Sequence, residues 1–199
     1  MELSTLADRL DDRLRTGEYA DVDASANGLQ VGPDDAAVER AAFAVDAAAA
    51  TVEDAADAGA DLLVTHHGLV WGGLDRVAGR EYDAVAALVE NDIALYVSHL
   101  PLDGHPSLGN AAGLADHLDL DDQTPFGTMG PVTIGRRGRA ADAYSTDELR
   151  ERLAELDTGG REPQGLEFGP DEIEEVAIVT GSGVDWLDEA VAAGADALV

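Results

Sequence analysis

Two 27-residue stretches of this chain lie over each other without a gap. VERAAFAVDAAAATVEDAADAGADLLV (38–64) matches IEEVAIVTGSGVDWLDEAVAAGADALV (173–199) at nine identical positions, and most of the others exchange like for like. Each copy reads as an apolar strand, a helix closed by a glycine, and a second apolar strand. Two strands joined through a helix belong side by side and parallel. The repeat therefore predicts an α/β fold built from two related halves.

The rest of the chain fits that alternation. Leu3, Leu6, Leu10 and Leu14 recur at helical spacing, so a helix is expected over 4–16 with Gly17 closing it. NGLQVG (27–32) reads as a turn into a short extended piece. Strands are expected at 39–46, 61–65 and 93–98, and helices at 51–60, 81–92 and 108–118. From Asp119 to Pro170 the chain is rich in Gly, Pro and charge, and one helix is expected there, at 146–156. The expected subdomains are 1–125 and 126–199. In the first repeat copy Thr65, His66 and His67 come next, whereas the second copy reaches Val199 and stops. The second half is accordingly expected to be incomplete at its C-terminus.

Composition narrows the chemistry. The chain has no cysteine, so any metal must be held by nitrogen and oxygen ligands. No apolar run approaches the roughly 20 residues of a membrane span, and MELSTLADRLDDRL lacks the blocks of a signal peptide. A cytoplasmic protein is expected, with no membrane partner. Forty-one acidic side chains face 12 basic ones, for a net charge of −29, and every basic residue is arginine. The acids are spread along the chain rather than gathered in a tail. Such a shell repels itself unless salt screens it, which fits a salt-adapted cytoplasm. It also excludes nucleic acid as a partner, since that needs a basic footprint.

Parallel α/β sheets carry their ligands beyond the carboxyl ends of the strands. His66 and His67 stand there in DLLVTHHGLVWGG (61–73), and His99 stands there in SHLPLDGH (98–105), with Asp103 close behind. Adjacent strand residues point to opposite faces, so His66 and His67 do not readily share one ion while extended. They suit two neighbouring ions if the chain turns at Gly68. A carboxylate such as Asp103 suits the same arrangement, and two ions roughly 3.5–4 Å apart form the usual hydrolytic clamp. The plainer reading, hydrogen-bonded residues at strand ends, competes for each histidine. His105 and His117 read as surface residues rather than ligands, and Asn27 as a local turn former. WGG (71–73) is either a loop over a site or a simple turn, and TGSGVD (180–185) is a weak phosphate-loop pattern.

Together, NGLQVG, AGADLLVTHHGLVWGG and NDIALYVSHLPLDGHPSLGNAAGLADHL resemble the NIF3-like family, also labelled GTP cyclohydrolase 1 type 2 homologs. The resemblance implies two α/β subdomains, a mostly parallel sheet with flanking helices, a homohexameric ring and a dinuclear metal centre. By motif, His66, His67 and Asp103 match metal ligands, and His99 matches a histidine beside the site whose role is either to support a ligand or to transfer a proton. The implied cofactors are two divalent ions; zinc, iron, manganese and nickel all suit imidazole and carboxylate ligands. The family's remaining histidine and glutamate ligands belong to a segment beyond this sequence. The implied function is a metal-dependent hydrolase in which an activated water attacks a purine nucleotide ring or a related small molecule. Arg76 and Arg80 are the cations nearest in sequence to offset the substrate's charge. The alternative is a non-catalytic metal-binding scaffold or regulator.

The charge makes the first prediction. The melting transition should fall and broaden below about molar salt, where screening is lost. A sharp, unchanged transition in dilute buffer would sink the salt-adapted reading.

Overall fold

The computed structural model describes residues 1–33 and 35–199, which form two compact units, Met1–Leu102 and Asp103–Val199. Residues 103–125 thus group with the second unit, although the sequence placed them in the first subdomain. Their apolar residues explain the grouping: Ala111, Ala115, Leu118 and Leu120 share a core with Val176 and Ile178.

The first unit holds strands β1 (Gly28–Val31), β2 (Ala41–Asp46), β3 (Leu62–His67) and β4 (Ala94–Val97), in the spatial order β1–β4–β3–β2. β2, β3 and β4 are parallel, and β1 runs antiparallel to β4. Helices α1 (Leu3–Leu14), α2 (Ala49–Asp57) and α3 (Arg80–Glu90) cover the sheet. The inner strands are apolar on both sides because both faces are covered. Leu63, Leu95 and Val97 pack with Val52 and Ala55 of α2 and Leu88 of α3. Leu62, Ala94 and Tyr96 pack on the opposite face with Leu3, Ala7 and Leu14 of α1. The fully buried Tyr96 donates its hydroxyl to Asp11 Oδ1 at 2.7 Å. Burial, reinforced by that carboxylate, pushes its phenol well above the ordinary tyrosine pKa. α1 stops at Leu14 because Arg15 turns left-handed at φ 58, two residues before the expected Gly17.

The chain passes from one unit to the next within α4 (Leu100–Asp103). The second unit contains α5 (Asn110–His117), β5 (Leu120–Met129), β6 (Val132–Tyr144), α6 (Thr146–Ala154), β7 (Ile173–Val179), α7 (Leu187–Ala192) and β8 (Ala197–Leu198). Its sheet runs β5–β6–β7–β8, antiparallel except for the last pair. The long β5–β6 hairpin occupies what the sequence offered as irregular chain. A two-residue Gly130–Pro131 turn closes it, with Gly130 at φ 56 in the first central position. The alternation signal failed because glycine replaces side chains where strands crowd. A Cβ on Gly135 would lie 2.2 Å from the Ile178 carbonyl oxygen and 3.1 Å from that of Phe126. Ser145 caps α6 with a reciprocal Ser145–Glu148 box, as the STDE pattern requires. No helix among the described residues is long and apolar enough to cross a membrane.

The two repeat copies fold alike down to single hydrogen bonds. Ala41 and Ala42 pair with Leu62 and Leu63, while Val176 and Ala177 pair with Ala197 and Leu198 in the corresponding register. Asp61 Oδ2 accepts from the backbone N–H groups of Glu39 and Arg40, both at 2.8 Å. Asp196 Oδ2 accepts from Glu174 and Glu175 at 3.0 and 2.9 Å. In each copy a left-handed glycine, Gly59 or Gly194, leads the chain from helix to strand. The repeated AGAD string is therefore a turn that ends in a carboxylate clip across the parallel pair.

The bonds from Arg40 and Glu39 hold the Asp61 carboxyl below its ordinary pKa. Such a group stabilises the fold above its unfolded-state pKa, and that contribution is lost as pH falls through the lowered folded value. Asp61→Ala should cost about 1 kcal/mol at neutral pH, and the gap to wild type should close in acid. Equal thermal stability of the two proteins at pH 7 would remove the clip's role.

Candidate metal centre

The parallel register brings the carboxyl ends of three strands to one edge of the first sheet. Asp46, the last residue of β2, pairs with His67, the last residue of β3. Thr65 pairs with Val97 at the end of β4, and Ser98 and His99 follow. One ring nitrogen from each of His66, His67 and His99 lies within 4.8 Å of the others, and all three rings are half-buried. Ring centroids are 4.7 Å apart for His66–His67 and 4.9 Å for His66–His99. The strand continues through His67, yet the adjacent rings converge, contrary to the alternation argument. The reason is position: β3 stops there, so both imidazoles can lean over the sheet's edge.

Each ring is oriented through Nδ1. His66 Nδ1 donates to the Ser98 carbonyl at 3.1 Å, and His67 Nδ1 to Asp46 Oδ1 at 2.7 Å. His99 Nδ1 donates to Asp23 Oδ1 at 2.9 Å. A carbonyl or carboxylate oxygen can only accept, so these partners require Nδ1–H and place the neutral ring's lone pair on Nε2. Three imidazoles in one tautomer, two of them backed by carboxylates, are the usual donor set of a metal centre.

Asp23 is the buried anchor of this arrangement, with a side chain 2% exposed. Besides His99, it accepts from Ser25 N at 2.9 Å, Asn27 Nδ2 at 2.8 Å and Leu100 N at 3.0 Å. Burial works to raise its pKa, but the donors together outweigh burial and hold it below the ordinary carboxylate value. Asn27 Oδ1 also accepts from the His99 backbone N–H at 2.7 Å. The residue expected to be a turn former thus fixes both the chain and the partner of His99. Gln30 does the same for the loop after His67, accepting from Leu69 N at 2.8 Å and Val70 N at 3.3 Å. Gly68 is required there, because a Cβ would come within 2.5 Å of the Gln30 amide and 2.6 Å of Val97 Cγ2. Trp71 is tied down by its Nε1 bond to the Gly68 carbonyl and by an antiparallel bridge to Ser25. Its indole meets the His99 ring edge-on at 4.9 Å.

Three buried hydroxyls on the segments that carry Asp23, His66 and His99, namely Ser25 Oγ, Thr65 Oγ1 and Ser98 Oγ, have no hydrogen-bond partner among the described residues. The fit to a metal rests on the ring nitrogens themselves, which converge while each imidazole is oriented from behind. The residues present therefore fit a divalent ion.

The profile of the family described as Duf34/NIF3 (NGG1p interacting factor 3) matches residues 1–199. The chain belongs to this family. A protein of Halobacterium salinarum named GTP cyclohydrolase 1 type 2 homolog is 58% identical over 200 residues, covering 100% of this chain and 78% of that one. A protein of the same name from Pyrococcus abyssi is 38% identical over 195 residues, covering 96% of this chain and 74% of its own. Two solved structures share the fold: ybgI, described as of unknown function (TM-score 0.86, 32% identity), and TTHA1606 from Thermus thermophilus (TM-score 0.84, 34% identity). They are matched over 100% and 95% of this chain and 77% and 74% of theirs.

Of the residues singled out in this NIF3-family sequence, His66, His67 and His99 are brought together. Asp103 opens the second unit. It is buried there, and its Oδ1 accepts from Asn110 Nδ2 at 2.7 Å and Thr180 Oγ1 at 3.1 Å. His105 is buried rather than on the surface, its Nδ1 accepting from the backbone of Ser107 and Leu108. His117 Nε2 donates to the Arg152 carbonyl at 2.7 Å, tying α5 to α6. Sequence reading missed Asp46 and Asp23. Asp46 carried a usable signal, a carboxylate at the end of a strand parallel to the His-bearing one. Asp23 carried none, because only tertiary pairing takes it to His99.

Loss of a carboxylate behind a ligating imidazole usually weakens metal binding by roughly 10–100-fold. Asp46→Ala should show that loss in a zinc titration while its melting temperature stays close to wild type, since Asp46 is an exposed strand end. An unchanged affinity would exclude Asp46 from the centre.

Proposed function

We propose that this chain is a cytoplasmic, divalent-metal-dependent hydrolase of a salt-adapted cell, acting on a purine nucleotide ring or a related small molecule. The observation that carries the reading is the convergence of His66, His67 and His99, each ring oriented by an acceptor on Nδ1. His66, His67 and, by the family motif, Asp103 would hold metal, with two ions expected per chain. A divalent ion there supplies a water of lowered pKa and a Lewis acid for the substrate.

The remaining work falls to the chain's own residues. His66 and His67 present Nε2, and their Nδ1 partners keep the rings from turning away. His99 is suited to proton transfer: Asp23, kept ionised by its donors, stabilises the protonated ring and leaves Nε2 as the exchanging nitrogen. Trp71, packed against His99, shields this side of the site from bulk water. The reaction class is hydrolysis of a purine's imidazole ring. One water opens the ring at its C–H carbon to a formamide, and a second water cleaves that amide to release formate. This accords with the name carried by the 58% identical relative.

The second reading is a metal-binding scaffold without turnover. It draws on apolar side chains left exposed, Phe43 and Val45 on the edge strand β2 and Leu166 and Phe168 in the 155–172 segment. Such surfaces serve association, and a homohexamer is the expected assembly.

The decisive assay is formate release from GTP, GMP and guanosine, each offered separately to metal-loaded protein at high salt. Turnover above a metal-only blank is expected, with at least about a hundredfold loss in His66→Ala. No formate above the blank, from protein that retains its metal, would overturn the hydrolase reading in favour of the scaffold.

A further inference from the structure

An open groove of about 370 Å³ lies beside the histidines within the first unit, lined in part by Ala47, Ala48, Gly68, Trp71 and Arg80. Its walls are continuous with the candidate centre. Gly68 follows His67 in sequence, and Ala47 follows Asp46 and donates its N–H to the His67 carbonyl at 3.1 Å. Its volume is at the low end of small-molecule sites, roughly 300–1,000 Å³.

Three features of the lining specify an occupant. The first is Trp71, which is fixed through both its side chain and its flanking backbone yet remains 44% exposed. Its indole donates to Gly68 O at 3.1 Å, Ala26 N donates to Val70 O, and Gly72 N donates to Ala24 O. A rigid, half-exposed indole is a stacking platform whose ordering cost is met before any ligand arrives. The second is Arg80. It makes no ion pair among the described residues, in a chain where acids outnumber arginines 41 to 12. Several other arginines also lack an ion pair, but among the described residues Arg80 is the one basic residue in the groove lining, which places it for an anion from outside. Ala48, the N-cap of α2, also lines the groove and offers no side-chain cap, so the first-turn N–H groups of that helix add to the same preference. The third is the pair Glu81 and Asp83, which also line the groove. They outnumber Arg80, so a polyphosphate is repelled, while ring N–H donors find acceptors.

We propose that this groove binds a planar heteroaromatic ligand with ring N–H donors and one anionic group, no larger than a purine nucleoside monophosphate. The ring stacks on Trp71, its N–H edge meets Glu81 or Asp83, and the anion sits on Arg80. The proposal rests on the hydrolase reading only for the chemistry after binding, because it puts the ligand beside His67 and His99 whether or not turnover occurs.

The test uses the intact chain with Trp186→Phe, which leaves Trp71 as its only indole. Guanosine, GMP and GTP are titrated by fluorescence at molar KCl, with and without zinc, and formate is assayed separately. GMP should quench Trp71 saturably and bind at least as tightly as GTP. Arg80→Gln should weaken GMP by about tenfold and leave guanosine unchanged, as expected for one charge-assisted contact. Trp71→Leu, read by calorimetry, should weaken both about tenfold, and Trp71→Phe should restore most of that loss. Both positions are solvent-facing, and wild-type melting in each variant confirms that the fold is kept. Absence of quenching by both guanosine and GMP overturns the proposal. So does GMP affinity indifferent to Arg80→Gln, or GTP bound more than about tenfold tighter than GMP. Binding with this pattern but no formate upholds the groove and removes the hydrolase. Formate release without it does the reverse.

Discussion

The candidate centre depends on parallel pairing in the first sheet. Because β2, β3 and β4 run in one direction, their last residues arrive at one edge, and the register decides which of them meet. Asp46 faces His67 rather than a neighbour, and Ser98 lies across from His66. A one-residue slip of β3 would exchange the faces of the two histidines and break the pairing of His67 with Asp46 and of His66 with Ser98. The apolar cores on both sides forbid that slip, since it would bring Leu62 and Leu63 out of their separate packing clusters. Hydrophobic packing remote from the histidines therefore sets their geometry.

A second layer of control is polar and local. The loop before β1 delivers one buried carboxylate, Asp23, and one amide, Asn27, which together take the His99 ring, its backbone N–H and the N–H of Leu100. Burying a carboxylate is costly unless several donors meet it, and here the donors are the very groups that need positioning. Gln30 extends the scheme to the turn after His67, and Gly68 leaves room for it. Such a network is hard to alter one residue at a time, because any vacancy leaves a buried acceptor or donor unmet.

This division explains what could be read in the sequence. The amphipathic helices and the three parallel strands were legible, since leucine spacing and apolar runs report burial directly. The histidines were legible as strand-end residues. Asp23 was not, because its place is set by the antiparallel β1–β4 pairing, which joins segments about 70 residues apart in sequence. The β5–β6 hairpin was hidden for a different reason. Gly135 and Gly138 sit where a side chain would collide with neighbouring backbone, so the strands lack the alternation that identifies a half-buried sheet. The repeat was legible as similarity, and its meaning came from the paired clips of Asp61 and Asp196. In the second copy Gly181 stands where Asp46 stands in the first, so the shared scaffold is kept without that copy's orienting carboxylate.

The acidic surface bears on the site in two opposing ways. At low ionic strength a charge of −29 draws cations toward the chain and repels polyanions, which would favour metal loading and disfavour a triphosphate. In molar salt the screening length falls to about 3 Å, and that long-range help disappears. Contact chemistry survives: lone pairs held in one tautomer, a half-exposed indole fixed by its loop, and an arginine that makes no ion pair among the described residues. A protein of this composition must recognise its ligands through groups already in position, and the hydrogen bonds of Asp23, Asn27 and Gln30 supply that fixity.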